Sequence, residues 1–308
     1  MQRLIRIGSR DSNLALWQAK LIESLLNKQG IKTEITLVKS EGDINLVSPL
    51  YEMGVQGIFT KTLDIALLTN KIDLAVHSLK DVPTQLPQHL KIASIPLRAN
   101  VKDALVYQNS SFQLTEEAGI TIATSSLRRK AQWLNKFPKH NIESIRGNIN
   151  TRLEKLKNTA HWSGALFACA GIERIGLEVP NKLALDWMLP APAQGALALV
   201  CREDDSEVNE ICKTVNHEDT ALCAGIERAF LRSLKGGCSI PIAALASIQN
   251  NTIHFKGNIL SLDGVRKVEV EMEFEKENHE NAGRLAAEKL LANGGDKIAQ
   301  ELKSLMTD

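Results

Sequence analysis

The sequence predicts an α/β protein that has two doubly wound lobes and a small C-terminal α+β domain. Short apolar runs alternate with amphipathic stretches over the first 100 residues, and the same alternation restarts near Asp103. The last third changes to strictly alternating runs that are separated by turns. The length of 308 residues allows two or three domains, because a domain takes about 150 residues.

Both lobes are predicted from strands that alternate with helices, which is typical of a parallel, doubly wound sheet. Ser12 can cap the first helix and Gly30 can end it. The first lobe has predicted strands at 4–7, 33–38 and 73–77 and predicted helices at 14–29 and 58–70. The second has predicted strands at 104–107, 121–124, 141–145 and 164–169 and predicted helices at 126–135 and 149–157.

The last third is predicted to form a three-stranded antiparallel sheet with two helices. Asn250-Asn251 and Asp263-Gly264 supply the turns between the strands. The last helix is predicted to stop at Gly294-Gly295. The strands are at 243–249, 252–261 and 265–274, and the helices are at 220–235 and 280–292.

Composition and charge exclude several classes of protein. The net charge is +1, from 37 basic and 36 acidic residues, so no overall field attracts nucleic acid or a membrane surface. Aromatic residues make up only 4%, which is few for a protein that stacks nucleic-acid bases. The first residues lack the apolar stretch of an export signal, and no apolar run is long enough to span a bilayer. We therefore expect a cytoplasmic protein that binds neither nucleic acid nor membrane.

The five cysteines do not form a disulfide framework or a zinc ribbon, because their number is odd and none form a CxxC pair. No metal site is expected. Cys238 differs from the cysteines in apolar runs, since it follows Gly236-Gly237 in a loop. A thiol there can project into a space between domains. On this evidence alone, Cys238 is either a functional thiol or an incidental cysteine.

Arginines cluster in the second lobe. Four of the 14 arginines fall within 25 residues, where even spacing would place about one: Arg128, Arg129, Arg146 and Arg152. They follow two successive predicted strands and open two helices, whose first N–H groups attract anions. The cluster predicts a site for several carboxylates or phosphates, and a solvated basic helix face is the alternative.

A second chemical feature is the segment HSLKDVP at 77–83, which follows a predicted strand. Lys80 and Asp81 should therefore lie at the carboxyl end of that strand. A carboxylate there can stabilise a cation or move a proton. An Asp-Val-Pro turn with a routine surface ion pair is the alternative for Asp81. His77, inside the strand, is more typical of a packed residue than of a catalytic base.

Seven segments, taken together, resemble the porphobilinogen deaminase (hydroxymethylbilane synthase) family over essentially the whole chain. Each segment is a weak signal alone, but seven in the family's order and spacing are highly specific. They are GSRDS at 8–12 with LALWQA at 14–19, HSLKDVP at 77–83, TSSLRR at 124–129, RGN at 146–148 with TR at 151–152, AGIERIG at 170–176, QGA at 194–196 and GGC at 236–238.

The resemblance implies a fold of three domains. Two lobes similar to those of periplasmic binding proteins would enclose the active site in a cleft, and a small third domain would carry the cofactor on a loop. The implied boundaries are 1–98 with 196–216 for domain 1, 99–195 for domain 2 and 217–308 for domain 3. The resemblance also implies a monomer.

The resemblance further implies a transferase that deaminates porphobilinogen and joins four molecules head to tail on a dipyrromethane cofactor, releasing hydroxymethylbilane and ammonia. Cys238 matches the residue that holds the cofactor by a thioether, and Asp81 matches the catalytic carboxylate. Each porphobilinogen unit carries an acetate and a propionate. Arginine suits such ligands, because its planar fork pairs with carboxylates and stays charged.

Individual site residues are carried over from the family only where the motifs match. The cofactor-binding positions are Cys238, Lys80, Asp81, Ser126, Arg128, Arg129, Arg146 and Gly147. The substrate-binding positions are Arg10, Gln18, Arg146, Arg152, Arg174 and Gln194.

The chain departs from the family pattern at two places. Gln56 stands where many relatives have a basic residue, and Ala193 stands where a glycine is common. The first change affects a predicted lid, and the second affects a predicted crossover between domains. Neither touches Asp81 or Cys238.

Two other classes of function are weighed against this one. A non-catalytic bilobal anion-binding protein would explain the lobes and the arginines, but not Asp81 beside Lys80 or the Gly-Gly-Cys loop. A transferase with a cysteine nucleophile would use Cys238, but no histidine stands near it in the sequence.

Overall fold

Two five-stranded sheets and one three-stranded sheet organise the protein. The computed structural model describes residues 3–38, 60–176, 179, 181–235 and 240–304. The two predicted lobes and the predicted C-terminal α+β domain are present. None of the helices in these ranges is long and apolar enough to cross a membrane.

The first lobe has the strand order β2-β1-β3-β10-β4. Its strands are β1 Ile5–Ser9, β2 Thr33–Leu37, β3 Leu74–Ser78, β4 Leu90–Ser94 and β10 Leu197–Arg202, and its helices are α1 Asn13–Lys28, α2 Lys61–Leu68 and α6 Ser206–Lys213. Strand β1 is parallel to β2 and β3, whereas β10 is antiparallel to β3 and β4. The prediction of a parallel sheet is therefore wrong for one side, because β10 enters the sheet from a distant part of the chain.

The second lobe has the strand order β7-β6-β8-β5-β9. Its strands are β5 Asp103–Tyr107, β6 Thr121–Ala123, β7 Asn141–Glu143, β8 Gly164–Ala168 and β9 Lys182–Ala184, and its helices are α3 Leu127–Lys136, α4 Ile149–Asn158 and α5 Cys169–Arg174. Strand β6 is parallel to both neighbours, while β5 is antiparallel to β8 and β9. This sheet is also mixed, and apolar clusters cover both of its faces.

The third domain packs helices against one face of its antiparallel sheet. Its elements are α7 Glu218–Ser233, β11 Ile242–Gln249, β12 Thr252–Leu260, β13 Lys267–Glu275, α8 Ala282–Leu290 and α9 Asp296–Ser304. Asn250 and Asn251 have φ angles of 48° and 65°, as a tight hairpin turn requires. The chain leaves the helical conformation at the predicted Gly294, whose φ is 101°, but a further helix that was not predicted, α9, follows directly.

Candidate active site

A cleft of about 610 Å³ lies between the two lobes, and the third domain contributes Leu231, Ile240 and Ile242 to its lining. This volume is in the range of sites that bind small molecules. The cleft forms at the carboxyl ends of parallel strands, which are β1 and β3 in the first lobe and β6 and β7 in the second. Such strand ends are the usual position of a binding site in open α/β sheets.

The first lobe contributes Arg10, which follows β1, and a 3₁₀ turn at Leu79–Asp81, which follows β3. Asp81 is half-buried and faces the cleft. Burial lowers the pKa of Lys80, although the charge of Asp81 opposes this shift. Arg228 of the third domain holds the turn, since it donates to the carbonyl oxygens of Val82 at 2.8 Å and Pro83 at 2.7 Å. No motif or spacing in the sequence predicts this contact.

The second lobe presents two helix N-termini to the cleft. Ser126 caps α3 by accepting a hydrogen bond from the backbone N–H of Arg129, and Asn148 caps α4 by accepting one from Thr151. Gly147 has a φ of 114°, and a Cβ atom there would lie 2.8 Å from Cγ2 of Thr151. Only glycine fits this position, and it leaves the backbone open to a ligand.

A buried acid that the sequence analysis did not assign, Asp103, holds two of the predicted site arginines. Its Oδ2 atom accepts from Arg128 Nη2 at 2.7 Å, and its Oδ1 atom accepts from Arg129 Nη2 at 2.7 Å. Gln194 Nε2 donates to the same Oδ1 atom at 3.0 Å. Burial would raise the pKa of Asp103, but the two guanidinium charges hold it well below its usual range. The one signal in the sequence is a lone acid at the start of an apolar strand.

Arg128 and Arg129 therefore direct much of their hydrogen bonding into the protein. Arg129 also donates from Nη1 to the Leu166 carbonyl at 3.1 Å, and Arg128 donates from Nη1 to the Leu189 carbonyl at 2.7 Å. Both side chains still line the cleft. Their positive charges are thus fixed in place at the cleft wall.

Three other arginines of the cleft keep a buried guanidinium nitrogen without a hydrogen-bond partner among the described residues. These atoms are Arg146 Nη1, Arg152 Nε and Arg174 Nε. Burial and the charge of Arg129 lower the pKa of Arg152 to about 9, and burial lowers that of Arg174 to about 10. Since buried donors are nearly always paired, these nitrogens indicate a ligand that carries acceptors.

The packing of Arg152 and Arg174 fixes their guanidinium groups. Arg152 lies 4.5 Å from the ring centre of Phe167 and donates to the Leu166 carbonyl at 2.6 Å. Arg174 lies 5.8 Å from the ring centre of Trp17 and donates to the Gly195 carbonyl at 2.5 Å. Cation–π contacts and carbonyl bonds hold both groups without neutralising them.

The structure brings most of the predicted site residues to this cleft. Gln18 is the exception among those described, because it is buried and donates to Ser78 Oγ at 2.9 Å, and it lines a small cavity behind the cleft wall. Cys238 and Gln56 lie outside the described residues. The predicted site residues that line the cleft are Arg10, Lys80, Asp81, Ser126, Arg128, Arg129, Arg146, Gly147, Arg152, Arg174 and Gln194.

Ala193, one of the two departures, has a φ of 61°, which a side chain rarely adopts. It is fully buried, and its backbone N–H donates to Oε2 of Glu227 at 2.6 Å. This left-handed conformation explains why a glycine suits the position.

Comparison with known proteins identifies the family. Residues 5–210 match the family described as "Porphobilinogen deaminase, dipyromethane cofactor binding domain", and residues 221–292 match "Porphobilinogen deaminase, C-terminal domain". The chain belongs to the porphobilinogen deaminase family. The porphobilinogen deaminase of Desulforamulus reducens is 41% identical over 308 residues, which covers 99% of each chain. That of Geobacter sulfurreducens is 40% identical and covers 97% of this chain and 94% of its own.

Two solved structures of periplasmic binding proteins are among those to which the chain is distantly similar. One from Salmonella typhimurium is 14% identical, covers 69% of this chain and 92% of its own, and has a TM-score of 0.42. One from Legionella pneumophila is 13% identical, covers 68% and 91%, and has a TM-score of 0.43. The cofactor-binding region that defines the porphobilinogen deaminase family, residues 5–210, contains both sheets that border the cleft.

Proposed function

We propose that this member of the porphobilinogen deaminase family deaminates porphobilinogen and joins four molecules head to tail on a dipyrromethane primer. The products are hydroxymethylbilane and ammonia, and the reaction is a step of tetrapyrrole biosynthesis. One observation carries the proposal: three arginines of the cleft that holds Asp81 each have a buried guanidinium nitrogen without a hydrogen-bond partner among the described residues. Acetate and propionate groups supply the acceptors that these donors lack.

Arg10 holds substrate carboxylates from the first lobe, and Arg146, Arg152 and Arg174 hold them from the second. Each guanidinium presents a planar fork that matches a carboxylate. Gln194 lines the same cleft, and its buried Oε1 atom, which has no partner in the described ranges, can accept a hydrogen bond from an N–H group of the substrate. Because arginines of both lobes bind the substrate, it lies across the cleft and beside Asp81.

The cleft also fits the family's cofactor, whose pyrroles carry the same carboxylates. When bound, dipyrromethane supplies the pyrrole carbon to which each new unit is joined. We propose that Cys238 holds it by a thioether and that Lys80 and the N-terminus of α3 at Ser126 bind its carboxylates. Arg128, Arg129, Arg146 and the backbone at Gly147 complete the set.

Asp81 is the catalytic residue. Loss of ammonia leaves the substrate as an electron-poor methylene-pyrrolenine cation, and the Asp81 carboxylate stabilises that charge and accepts a hydrogen bond from the pyrrole N–H. The turn that carries Asp81 is held through its backbone by Arg228. The backbone that carries the carboxylate is therefore held in place before the charge develops.

Domain limits, assembly and location are part of the same proposal. Domain 1 comprises residues 1–98 and 196–216, domain 2 comprises 99–195, and domain 3 comprises 217–308. Strand β10 follows the second lobe in the chain but lies in the first sheet, which supports the assignment of 196–216 to domain 1. We propose a cytoplasmic monomer that binds no nucleic acid, which the net charge of +1 supports.

Mass spectrometry tests the covalent attachment of the cofactor to Cys238. Intact-mass measurement of the purified active protein is expected to show the chain plus two pyrrole units, and a tryptic digest should place them on Cys238. The Cys238→Ser variant is expected to show the bare chain, and Cys223→Ser, which changes a buried cysteine, should keep the adduct. A bare chain in active protein, or an adduct on Cys169, Cys201, Cys212 or Cys223, contradicts the proposal.

Arg152→Met is expected to lower kcat/KM for porphobilinogen by about 10- to 100-fold, because a charge-assisted hydrogen bond contributes about 1.5–3 kcal/mol. The melting temperature should stay close to that of the wild type, since the variant removes a buried nitrogen without a partner among the described residues as well as the hydrogen bond to the Leu166 carbonyl. Steady-state kinetics and a thermal melt measure both effects. Lys157→Met, which removes an exposed positive charge from the same helix, is the control. Equal kcat/KM in both variants would exclude Arg152 from substrate binding.

A further inference from the structure

A second, small cavity of about 10 Å³ lies directly behind the wall of the cleft. Arg10, Ser78 and Asp81 line both spaces, so the small cavity is the reverse side of the wall that carries the catalytic carboxylate. Its other polar residues are Gln18, Thr60 and His77. A polar cavity of this size holds one water molecule when several polar groups surround it.

His77 is the unexplained residue of this cavity. It lies in β3, its side chain is only 5% exposed, and its Nε2 atom has no hydrogen-bond partner within the described part of the chain. An unmade hydrogen bond at a buried polar atom destabilises a fold, and an apolar ring of the same shape would avoid this cost. A buried imidazole at this position therefore needs a partner that the described residues do not supply.

The charge of this imidazole is fixed by its surroundings. Burial and the positive charge of Arg10 lower the pKa of His77 to about 3, so the ring is neutral at neutral pH. A neutral ring can bond to a water molecule, but it does not form an ion pair with Asp81. The ring therefore places no positive charge beside the Asp81 carboxylate.

We propose that His77 is a positioning residue that holds one water molecule in the small cavity, and that this water donates a hydrogen bond to the Asp81 carboxylate. The inference rests on the catalytic role proposed for Asp81. A donor held behind the carboxylate fixes its direction towards the cleft before the substrate cation forms. The water is bound by the wall of the lobe, so it remains in place while substrates enter from the other side.

Two substitutions separate positioning from packing. His77→Phe keeps the ring shape and removes the polar atoms, so we expect an unchanged or higher melting temperature, a kcat about 10-fold lower and a KM within a few-fold. His77→Gln places an amide near the position of Nε2 and should restore most of the lost kcat. Wild-type kcat in His77→Phe overturns the proposal, as does a loss of kcat in both variants that follows the loss of melting temperature.

A crystal structure of the wild-type holoenzyme gives a readout that does not depend on activity or on folding of a variant. It should show one ordered water within hydrogen-bond distance of both His77 Nε2 and an Asp81 carboxylate oxygen. A structure without that water overturns the proposal. The Asp81→Asn enzyme distinguishes this failure from failure of the proposed function. If Asp81→Asn is inactive while His77→Phe is fully active, the role proposed for His77 is contradicted and the role of Asp81 is not.

Discussion

Asp103→Asn is expected to destabilise the protein by about 3–5 kcal/mol, which is the usual cost of removing one partner from a buried charge cluster. Asp103 is fully buried and is the acid that both Arg128 and Arg129 contact. The amide fills the same space, but it leaves two guanidinium charges in the interior without a counter-charge. Urea denaturation of the wild-type and Asp103→Asn apoproteins, followed through the midpoint and slope, measures the loss without a contribution from the cofactor.

Asp186→Asn is the matched control in the same lobe. Asp186 pairs with Lys102 at 2.6 Å, but its side chain is 73% exposed, and such pairs contribute about 0–1 kcal/mol. An Asp103→Asn protein no less stable than the Asp186→Asn protein would show that the buried cluster does not stabilise the lobe.

The stability that Asp103 contributes to the wild-type protein should also fall in acid. The pKa of Asp103 lies below its usual value in the folded state, so its contribution to stability is complete above the unfolded pKa of about 3.9. That contribution is lost as the pH falls through the folded pKa. The Asp103→Asn protein should therefore lose less stability than the wild type when the pH is lowered from 5 to 2 in steps.

The cluster also links stability to cofactor binding. Because Asp103 fixes the guanidinium groups of Arg128 and Arg129 at the cleft wall, its loss should release both groups. We expect Asp103→Asn protein to be isolated mostly without the two added pyrrole units. Intact-mass spectrometry separates this outcome from simple destabilisation, because the folded protein can be purified before its mass is measured.

Local sequence patterns were sufficient for elements whose signals are short-range. Ser12 caps α1 by accepting from the N–H of Ala15, as its position predicts, and the paired asparagines at 250–251 form the hairpin turn. The rule that sites lie at strand ends also located the cleft. It works here because β1 and β3, and likewise β6 and β7, reach the cleft from adjacent positions.

Long-range pairings were not predictable from these patterns. Strand β10 is separated by more than 100 residues from its neighbours in the first sheet, and its apolar sequence does not specify direction. The short edge strand β9, Lys182–Ala184, is exposed throughout and carries no apolar alternation. Gly294 satisfied the rule for a helix end, but α9 packs Ile298 and Leu302 into the core and so continues the chain as a helix.

The same limitation applies to the roles of the arginines. The sequence grouped Arg128 and Arg129 with Arg146 and Arg152, since all four follow strands of one lobe. The structure separates them, because Asp103 lies 25 residues before Arg128 and reaches it only in the folded sheet. Arg146 and Arg152 have no such carboxylate partner in the described ranges. Each keeps a guanidinium nitrogen that can donate a hydrogen bond to a ligand.

Asp81→Asn is expected to lower kcat by about 10²–10³-fold, because removing one preorganised electrostatic group from an active site has an effect of that size. KM should change little, since arginines rather than Asp81 bind the substrate carboxylates. The melting temperature should stay close to that of the wild type. Arg228 holds the turn through the Val82 and Pro83 carbonyl oxygens, and these contacts do not involve the Asp81 side chain.

Glu143→Gln makes the same charge change at another residue of the cleft and serves as the control. The Glu143 side chain is 45% exposed at the cleft edge, so its loss should leave kcat near the wild-type value. Steady-state kinetics and thermal melts of both variants are compared after apoprotein has been supplied with preassembled tetrapyrrole, so that each carries its cofactor. A near-normal kcat with a lower melting temperature in Asp81→Asn would make Asp81 a structural residue of the turn. An equal loss of kcat in both variants would assign the effect to the overall electrostatic field of the cleft. A larger loss in Asp81→Asn than in Glu143→Gln is expected only if Asp81 contacts the developing cation.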